Sequence, residues 1–428
     1  MDLRPALALT AATLALIACD APVTHRVTSV EHARPTALAA APAPDAPADE
    51  PAVVDPEEPT DPAGPADPGP ADPTTPDDPA PPDPVAPEEP PVPPGPEACP
   101  AGVTCVGAFP FFDDGDTTLA PSVIDRYGCA PGTDEGGPEV VYRVTLPSEG
   151  LLVASVDGLP PGVDVDVHIL ADAPGAAAPD PSACVDRGHW EAAARLPAGH
   201  AWVVVDSWVN ASGTALSGPY TLTLGFTAPA DHEDLDLDRE VLSAALYAFD
   251  AAWKAGETDR LELTVIDFSL HSVHRRLWTL DLRDGSVLFH QRVSHGEGSA
   301  DAADPGWAVA FSNTEGSHQS SLGLMRTASR YQSADNGLSL RLDGLDDGVN
   351  DAVRSRVIVI HSDSYATDAF AAAHGRMGLS WGCQVVDPAV IAELVDTIEG
   401  GALVFSWYPD PTWLASSAWL AGWTPPAP

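Results

Sequence analysis

Basic residues are scarce in this sequence: 20 Lys and Arg stand against 63 Asp and Glu over 428 residues, a formal net charge of −43. A chain so acidic has little with which to neutralise a phosphate backbone, which excludes nucleic acid as a partner. A membrane-spanning run is missing as well, because the apolar stretch at residues 6–18 is too short to cross a bilayer stably. No zincin helix is present: His271 and His274 stand three apart without the accompanying Glu and read as strand-end surface residues. No metal and no cofactor is therefore expected. Aromatic and long aliphatic side chains nearly vanish over residues 20–98, where more than half of the 46 prolines fall. That stretch cannot bury enough apolar area to offset its ordering entropy, so it reads as a disordered Pro/Asp/Ala linker.

What is present begins with a targeting device. Residues 1–19 combine Arg4, an apolar run and Leu16-Ile17-Ala18-Cys19, the pattern of a signal peptide. Its end resembles a bacterial lipobox. That resemblance implies that Cys19 is acylated and becomes the first residue of a lipoprotein, attached to a membrane through its N-terminal lipid and facing the periplasm of the cell envelope. At ~3.1 Å per residue the linker beyond it could reach roughly 240 Å as polyproline II. Four further cysteines, Cys99, Cys105, Cys129 and Cys184, lie in the first folded region and pair most simply as Cys99 with Cys105 and Cys129 with Cys184. Cys383 is left over, either a partner for another chain or a reactive nucleophile.

Residues 99–228 carry short alternating runs broken by Gly, Pro and Asp. Strands are expected at 140–146, 151–156, 163–170, 202–206 and 220–226, which suggests an antiparallel β-sandwich. Asp113, Asp114 and Asp116 lack the ligand spacing of an EF-hand and read as a solvated acidic turn. The order Tyr127-Gly128-Cys129, Gly137-Pro138-Glu139-Val140-Val141-Tyr142, Asp164-Val165-Asp166-Val167 and Trp202-Val203-Val204-Val205-Asp206 resembles the bacterial pre-peptidase C-terminal domain, an accessory module.

Residues 229–428 change to mixed α and β. Leu242, Ala245, Leu246, Phe249 and Trp253 fall at helical spacing, predicting an amphipathic helix over 238–254. Strands at 261–270 and 276–282 follow, and Asp284-Gly285 supplies a two-residue turn into 287–293. A second helix is expected with Asp387 as N-cap, Pro388 at its first position and Gly400 as its stop. Between these, 356–360 reads as a continuous apolar strand running into His361-Ser362, and Cys383 sits in the small-residue turn Leu379-Ser380-Trp381-Gly382-Cys383. A turn with Gly can converge backbone N–H groups on one point, as an oxyanion site requires. A histidine at the end of a buried strand is a suitable base for a thiol. The residues alone leave two readings open, a catalytic Cys–His pair or a buried inert Cys beside a structural His.

Ile360-His361-Ser362 followed by Ser380-Trp381-Gly382-Cys383 resembles the signature of murein L,D-transpeptidases. The blocks Val293-Ser294-His295-Gly296, Phe311-Ser312-Asn313, 317–323, 337–345, Arg354-Ser355-Arg356 and His374-Gly375-Arg376 are similar to the murein L,D-transpeptidase catalytic domain branch. The resemblance implies a β-rich catalytic domain with a few helices, a cysteine acyltransferase acting on peptidoglycan stem peptides through a thioester. It implies Cys383 as nucleophile, His361 as general base and Ser362 as the group whose backbone orients the imidazole. Gly382, Cys383 and Trp381 would supply the oxyanion hole, and Ser380, Arg376, His374 and Arg341 would contact substrate. Trp381 replaces the family's usual His, and Val385 its usual Asn or Arg. Arginines 341 and 376 have a blander reading as partners of an Asp. The competing functions are an L,D-carboxypeptidase using the same site and a non-catalytic peptidoglycan-binding envelope lipoprotein.

Overall fold

The computed structural model describes residues 99–426. The signal peptide, Cys19 and the linker at 20–98 lie outside the described residues. Nine strands build the first half: β1 (Thr104–Val106), β2 (Phe111–Asp116), β3 (Glu139–Leu146), β4 (Gly150–Asp157), β5 (Val165–Ala171), β6 (Cys184–Gly188), β7 (Glu191–Leu196), β8 (Gly199–Ser207) and β9 (Pro219–Thr227). They form two sheets in the orders β1-β3-β8-β5-β6 and β2-β9-β4-β7. All five expected strands are there, because alternation along each places one set of side chains, among them Val144, Leu152, Val167, Val203 and Leu222, in a common core between the sheets. Cys99 bonds Cys105 and Cys129 bonds Cys184, while Cys383 is free.

The acidic trio does not form a turn. Its members lie on β2 or at its end, and each carboxylate has a partner: Asp113 accepts from the Tyr142 hydroxyl at 2.7 Å, Asp114 from Thr221 at 3.0 Å, and Asp116 caps the following turn through the Thr118 N–H.

Helix α1 (Arg239–Lys254) starts where Asp238 accepts from the Glu240 N–H at 2.7 Å and buries Leu242, Ala245, Leu246 and Phe249. Its apolar face serves both halves. Leu151, Val153 and Ala193 of the sandwich belong to the same hydrophobic cluster as α1 and the second half's sheet. Polar contacts cross the same seam, with Trp253 Nε1 donating to Asp186 at 2.8 Å and Arg283 paired to Glu191 at 2.8 Å. The described residues therefore make one compact unit.

The second half adds β10 (Glu262–Asp267), β11 (Leu277–Asp281), β12 (Ser286–Gln291), β13 (His295–Gly296), β14 (Gly323–Ser333), β15 (Gly337–Gly344), β16 (Val359–Ser362), α2 (Asp368–His374), β17 (Leu379–Ser380), β18 (Gln384–Val386), α3 (Ile391–Ile398), β19 (Leu403–Trp407) and α4 (Pro411–Ser416). Eight strands form one sheet, β12-β11-β10-β19-β14-β15-β16-β18, and β13 pairs β17 separately. Three local expectations are corrected. The β11–β12 link takes four residues, because the Gly285 N–H closes onto the Asp281 carbonyl at 2.8 Å rather than forming a two-residue turn. Asp387 caps a preceding turn through the Ala389 N–H, and α3 begins only at Ile391. The strand carrying His361 starts at Val359, not at 356, because residues 352–358 coil into a turn with Val357 at φ +56°.

Candidate active site

The sheet's edge sets the geometry around Cys383. Strand β16 pairs in parallel with β18, with Ile360 opposite Gln384 and His361 opposite Val385. Side chains alternate along a strand, so Val359 and His361 share one face of β16, and Cys383 and Val385 share the matching face at the start of β18. Val359, Cys383 and Val385 meet in one apolar cluster with Ala366, Ala371 and Met377. The histidine thus projects on the thiol's side of adjacent strands.

His361 is buried, and its Nδ1 lies 3.2 Å from the Ser362 carbonyl oxygen. A carbonyl only accepts, so the neutral ring carries its proton on Nδ1 and presents Nε2 as a base. Burial holds the imidazole below its ordinary value, with the Ser362 carbonyl and Asp363 pulling the other way. Cys383 is 9% exposed, and its Sγ is 3.7 Å from the Val357 carbonyl. Burial pushes the thiol up, opposed by the Val359 backbone and the Arg356 guanidinium.

The turn before the thiol is fixed from several sides. Ser380 Oγ receives the Gly382 N–H at 3.1 Å and donates to the Cys383 carbonyl at 2.7 Å. Gly382 has φ +115°, and a Cβ there would stand 2.7 Å from both the Gln319 carbonyl oxygen and Ile358 Cδ1, so only glycine fits. Ser320 Oγ joins this turn to β13, accepting from the Gly296 N–H at 3.0 Å and donating to the Gly382 carbonyl at 3.2 Å. Two assignments change as a result. Ser380, expected at the substrate face, is buried and holds the turn together. The Gly382 N–H, expected in the oxyanion hole, is already engaged by Ser380.

The remaining residues divide. Trp381 is 71% exposed beside the thiol, its ring stacked on His318 at 4.8 Å with 7° between the planes, and His318 is held by Glu297 at 2.7 Å. Among the described residues Arg341 pairs with no Asp; its guanidinium lies 4.0 Å from the Tyr331 ring centroid and reaches Ser329, while Tyr331 packs against the Cys383 cluster. Arg376 donates to the Met377 carbonyl at 2.8 Å, and Met377 belongs to that cluster. His374 is the last residue of α2, exposed and packed on Phe370 at 4.1 Å. His271 is not a surface residue: it is buried against Trp307 and reaches Asp304 at 3.4 Å.

Residues whose placement the sequence did not announce are Tyr331 and Tyr365, which line the cluster, and a fully buried pair. In that pair Arg276 donates to His295 Nδ1 at 2.8 Å, and burial takes His295 down to about 3. An alternating run would have flagged Tyr331; nothing local marks Tyr365.

Comparison with known proteins agrees with this half of the chain. Residues 233–407 match the L,D-transpeptidase catalytic domain family. No curated protein matches the chain. Solved structures resembling parts of it include an L,D-transpeptidase from Mycobacterium smegmatis, at 13% identity over 35% of this chain and 59% of that one, with a TM-score of 0.23. Another is an L,D-transpeptidase from Stackebrandtia nassauensis, at 13% identity over 40% and 67%, TM-score 0.22. A third is the pre-peptidase C-terminal domain of collagenase from Bacillus anthracis, at 16% identity over 28% and 93%, TM-score 0.19. The chain thus spans 59% of the length of the M. smegmatis protein, and at such TM-scores none of the three bears on mechanism. Residues 233–407 are thus the part of the chain that carries the likeness to the L,D-transpeptidase catalytic domain family.

Proposed function

We propose that the protein is a murein L,D-transpeptidase that works through a thioester on Cys383. The observation that carries this reading is the shared face of β16 and β18, which sets the one free thiol among the described residues beside a histidine whose Nδ1 is tied to a backbone carbonyl. In the first step the thiol proton passes to His361 Nε2, and the thiolate attacks the carbonyl that links the third stem residue to the terminal D-Ala. A C–S bond forms, the C–N bond breaks, and D-Ala leaves with the proton from the imidazolium. An amine of a neighbouring stem then displaces the enzyme, giving its proton back to His361. Water at that step yields the carboxypeptidase outcome.

The developing oxyanion falls to the Cys383 amide together with that of Trp381, since Gly382 donates within the turn. Arg376 and Arg341, neither of which ion-pairs with a described acid, are suited to the carboxylates of a stem peptide. His374, exposed at the end of α2, belongs to the substrate face. Upstream, the same reading takes Cys19 as the lipidated residue, which places the enzyme on a membrane facing the periplasm; a Cys19→Ser protein should leave the membrane fraction.

A non-catalytic wall-binding role keeps one observation in its favour, the burial of the thiol. The two separate cleanly. Cys383→Ala and His361→Ala should each abolish 3-3 cross-linking in muropeptide mass spectra, with the double variant no worse than either single, because nucleophile and base act as a unit. Cys383 should form a mass adduct with a carbapenem, slowed by His361→Ala and little changed by His374→Ala. A folded wild-type protein whose Cys383 stays unmodified would leave the wall-binding role standing.

A further inference from the structure

The proposed reaction has an electrostatic difficulty. The thiol lies in an apolar cluster and burial disfavours its anion; the histidine is buried too, and burial disfavours its cation. Transferring the proton from one to the other creates two charges where low polarity penalises both. Something fixed and positive is needed near sulfur.

Arg356 is placed for it. Its guanidinium is clamped by four uncharged acceptors: the Ser312 carbonyl at 2.5 Å, Ser321 Oγ at 2.7 Å, Ser317 Oγ at 3.2 Å and the Gln319 carbonyl at 2.6 Å. The Gln319 carbonyl is the one pressed against Gly382, and the residue after Arg356 offers the carbonyl that faces Sγ. No described carboxylate pairs with it. That is unusual here, since most cations of this half face an acid, among them Arg260, Arg283, Arg292, Arg330 and Arg354. A guanidinium held by dipoles and left without a counterion keeps its full charge, and part burial limits screening by salt.

We infer that Arg356 is a positioning residue whose uncancelled charge stabilises the Cys383 thiolate, and later the oxyanion, at the transpeptidase site. This rests on Cys383 being the nucleophile. The other groups around sulfur supply no comparable fixed charge. His361 is the proton acceptor, Asp363 beside it favours the imidazolium, and Tyr365 is held well above its ordinary value by burial. Arg341 sits behind the Tyr331 ring. Arg376 turns to the Met377 carbonyl, and His318 is bound to Glu297 beyond Trp381.

The experiment is the pH dependence of Cys383 alkylation by iodoacetamide in the full-length protein, with Cys383→Ala as blank. Arg356→Gln keeps a donor and removes the charge; its midpoint should rise by about one pH unit, roughly tenfold less thiolate at a fixed pH below it. Arg356→Lys keeps the charge and loses the fork, and its midpoint should stay near that of wild type. Equal shifts in both variants would make Arg356 a loop clamp only and overturn the inference, as would an unmoved midpoint in a folded Arg356→Gln. Should the Gln variant not fold, Ser317→Asp decides: a carboxylate beside the guanidinium cancels part of its charge and should raise the midpoint, and an unmoved midpoint in that folded variant would overturn the inference. A wild-type thiol unreactive at every pH would instead remove the nucleophile itself.

Discussion

The sandwich and the transpeptidase domain handle buried charge in opposite ways. In the sandwich, charged groups face one another: Asp166 takes Arg187 and His189, Asp172 takes Arg143, and Asp206 takes the Tyr127 hydroxyl at 2.6 Å. Around Cys383, by contrast, Arg341, Arg356 and Arg376 have no described carboxylate. The comparison warns against searching for function by perturbed ionisation alone. Some of the largest shifts belong to the sandwich, where burial raises Glu135 and takes Asp206 up to about 8, yet each of these carboxylates faces a sandwich partner, Arg187 and Tyr127. A charge cancelled by its neighbour holds a fold in place; one left uncancelled beside a thiol is available to chemistry.

The comparison breaks if the sandwich governs the thiol. Replacing Cys129 and Cys184 by Ala removes a bridge across 55 residues and should cost about 4 kcal/mol. Because the hydrophobic cluster at α1 runs through both halves, calorimetry should show one transition at lower temperature, not two. Below that transition the pH profile of Cys383 alkylation should not change; a shifted profile would mean the halves are coupled at the site.

Gly382→Ala acts on the opposite half. The new methyl meets the Gln319 carbonyl and Ile358 in a backbone of φ +115°, displacing the amides beside the thiol. Carbapenem acylation should slow by about 100-fold, comparable to losing an oxyanion donor. An unaffected rate would place the oxyanion elsewhere.

A third test uses proton linkage in the sandwich. Asp206, chiefly through burial, ionises near 8 in the folded protein and near 3.9 unfolded. Between those values the folded state holds a proton that the unfolded state releases, so stability is highest at the acid end and falls as pH rises through the window. An amide at this position still accepts from Tyr127 but does not titrate. The fall in melting temperature from pH 5 to pH 8 should be shallower in Asp206→Asn than in wild type, and equal slopes would mean that Asp206 is ionised throughout.

How much of this was legible follows from what each signal measures. The sandwich strands and α1 came through alternation and helical spacing, which are local. Of the longest hairpin, β14–β15, only β15 lay in a family-like block, at 337–345, and β14 went unread because Arg326, Ser329, Arg330 and Gln332 interrupt its apolar rhythm. The start of β16 was misread because apolar content cannot announce the left-handed Val357. Cys383, His361 and Ser362 were named from order and resemblance, and they lie on or beside the paired strands β16 and β18. Ser380 was misassigned because a serine in a turn does not reveal whether it faces inward. Arg356 stood in a family-like block without a role, for an unpaired charge is a property of the folded molecule.

The smallest expected effect probes the seam between the two halves. Trp253 Nε1 donates to Asp186 Oδ2, which also receives the Ala193 N–H at 2.8 Å. Trp253→Phe keeps most of the apolar packing against Phe249, whose ring centroid lies 6.0 Å away, but deletes the donor. Asp186 is largely buried and already raised by that burial, so losing a bond to its charged form should cost about 1–2 kcal/mol. Asp186→Asn should remove part of that penalty in the Trp253→Phe background, because a neutral amide is cheaper to leave underbonded than a carboxylate. Chemical denaturation of the two single variants and the double would measure the coupling. Strict additivity would mean that the Trp253–Asp186 contact contributes nothing to the association of the two halves, leaving the apolar cluster and the Arg283–Glu191 pair to join them.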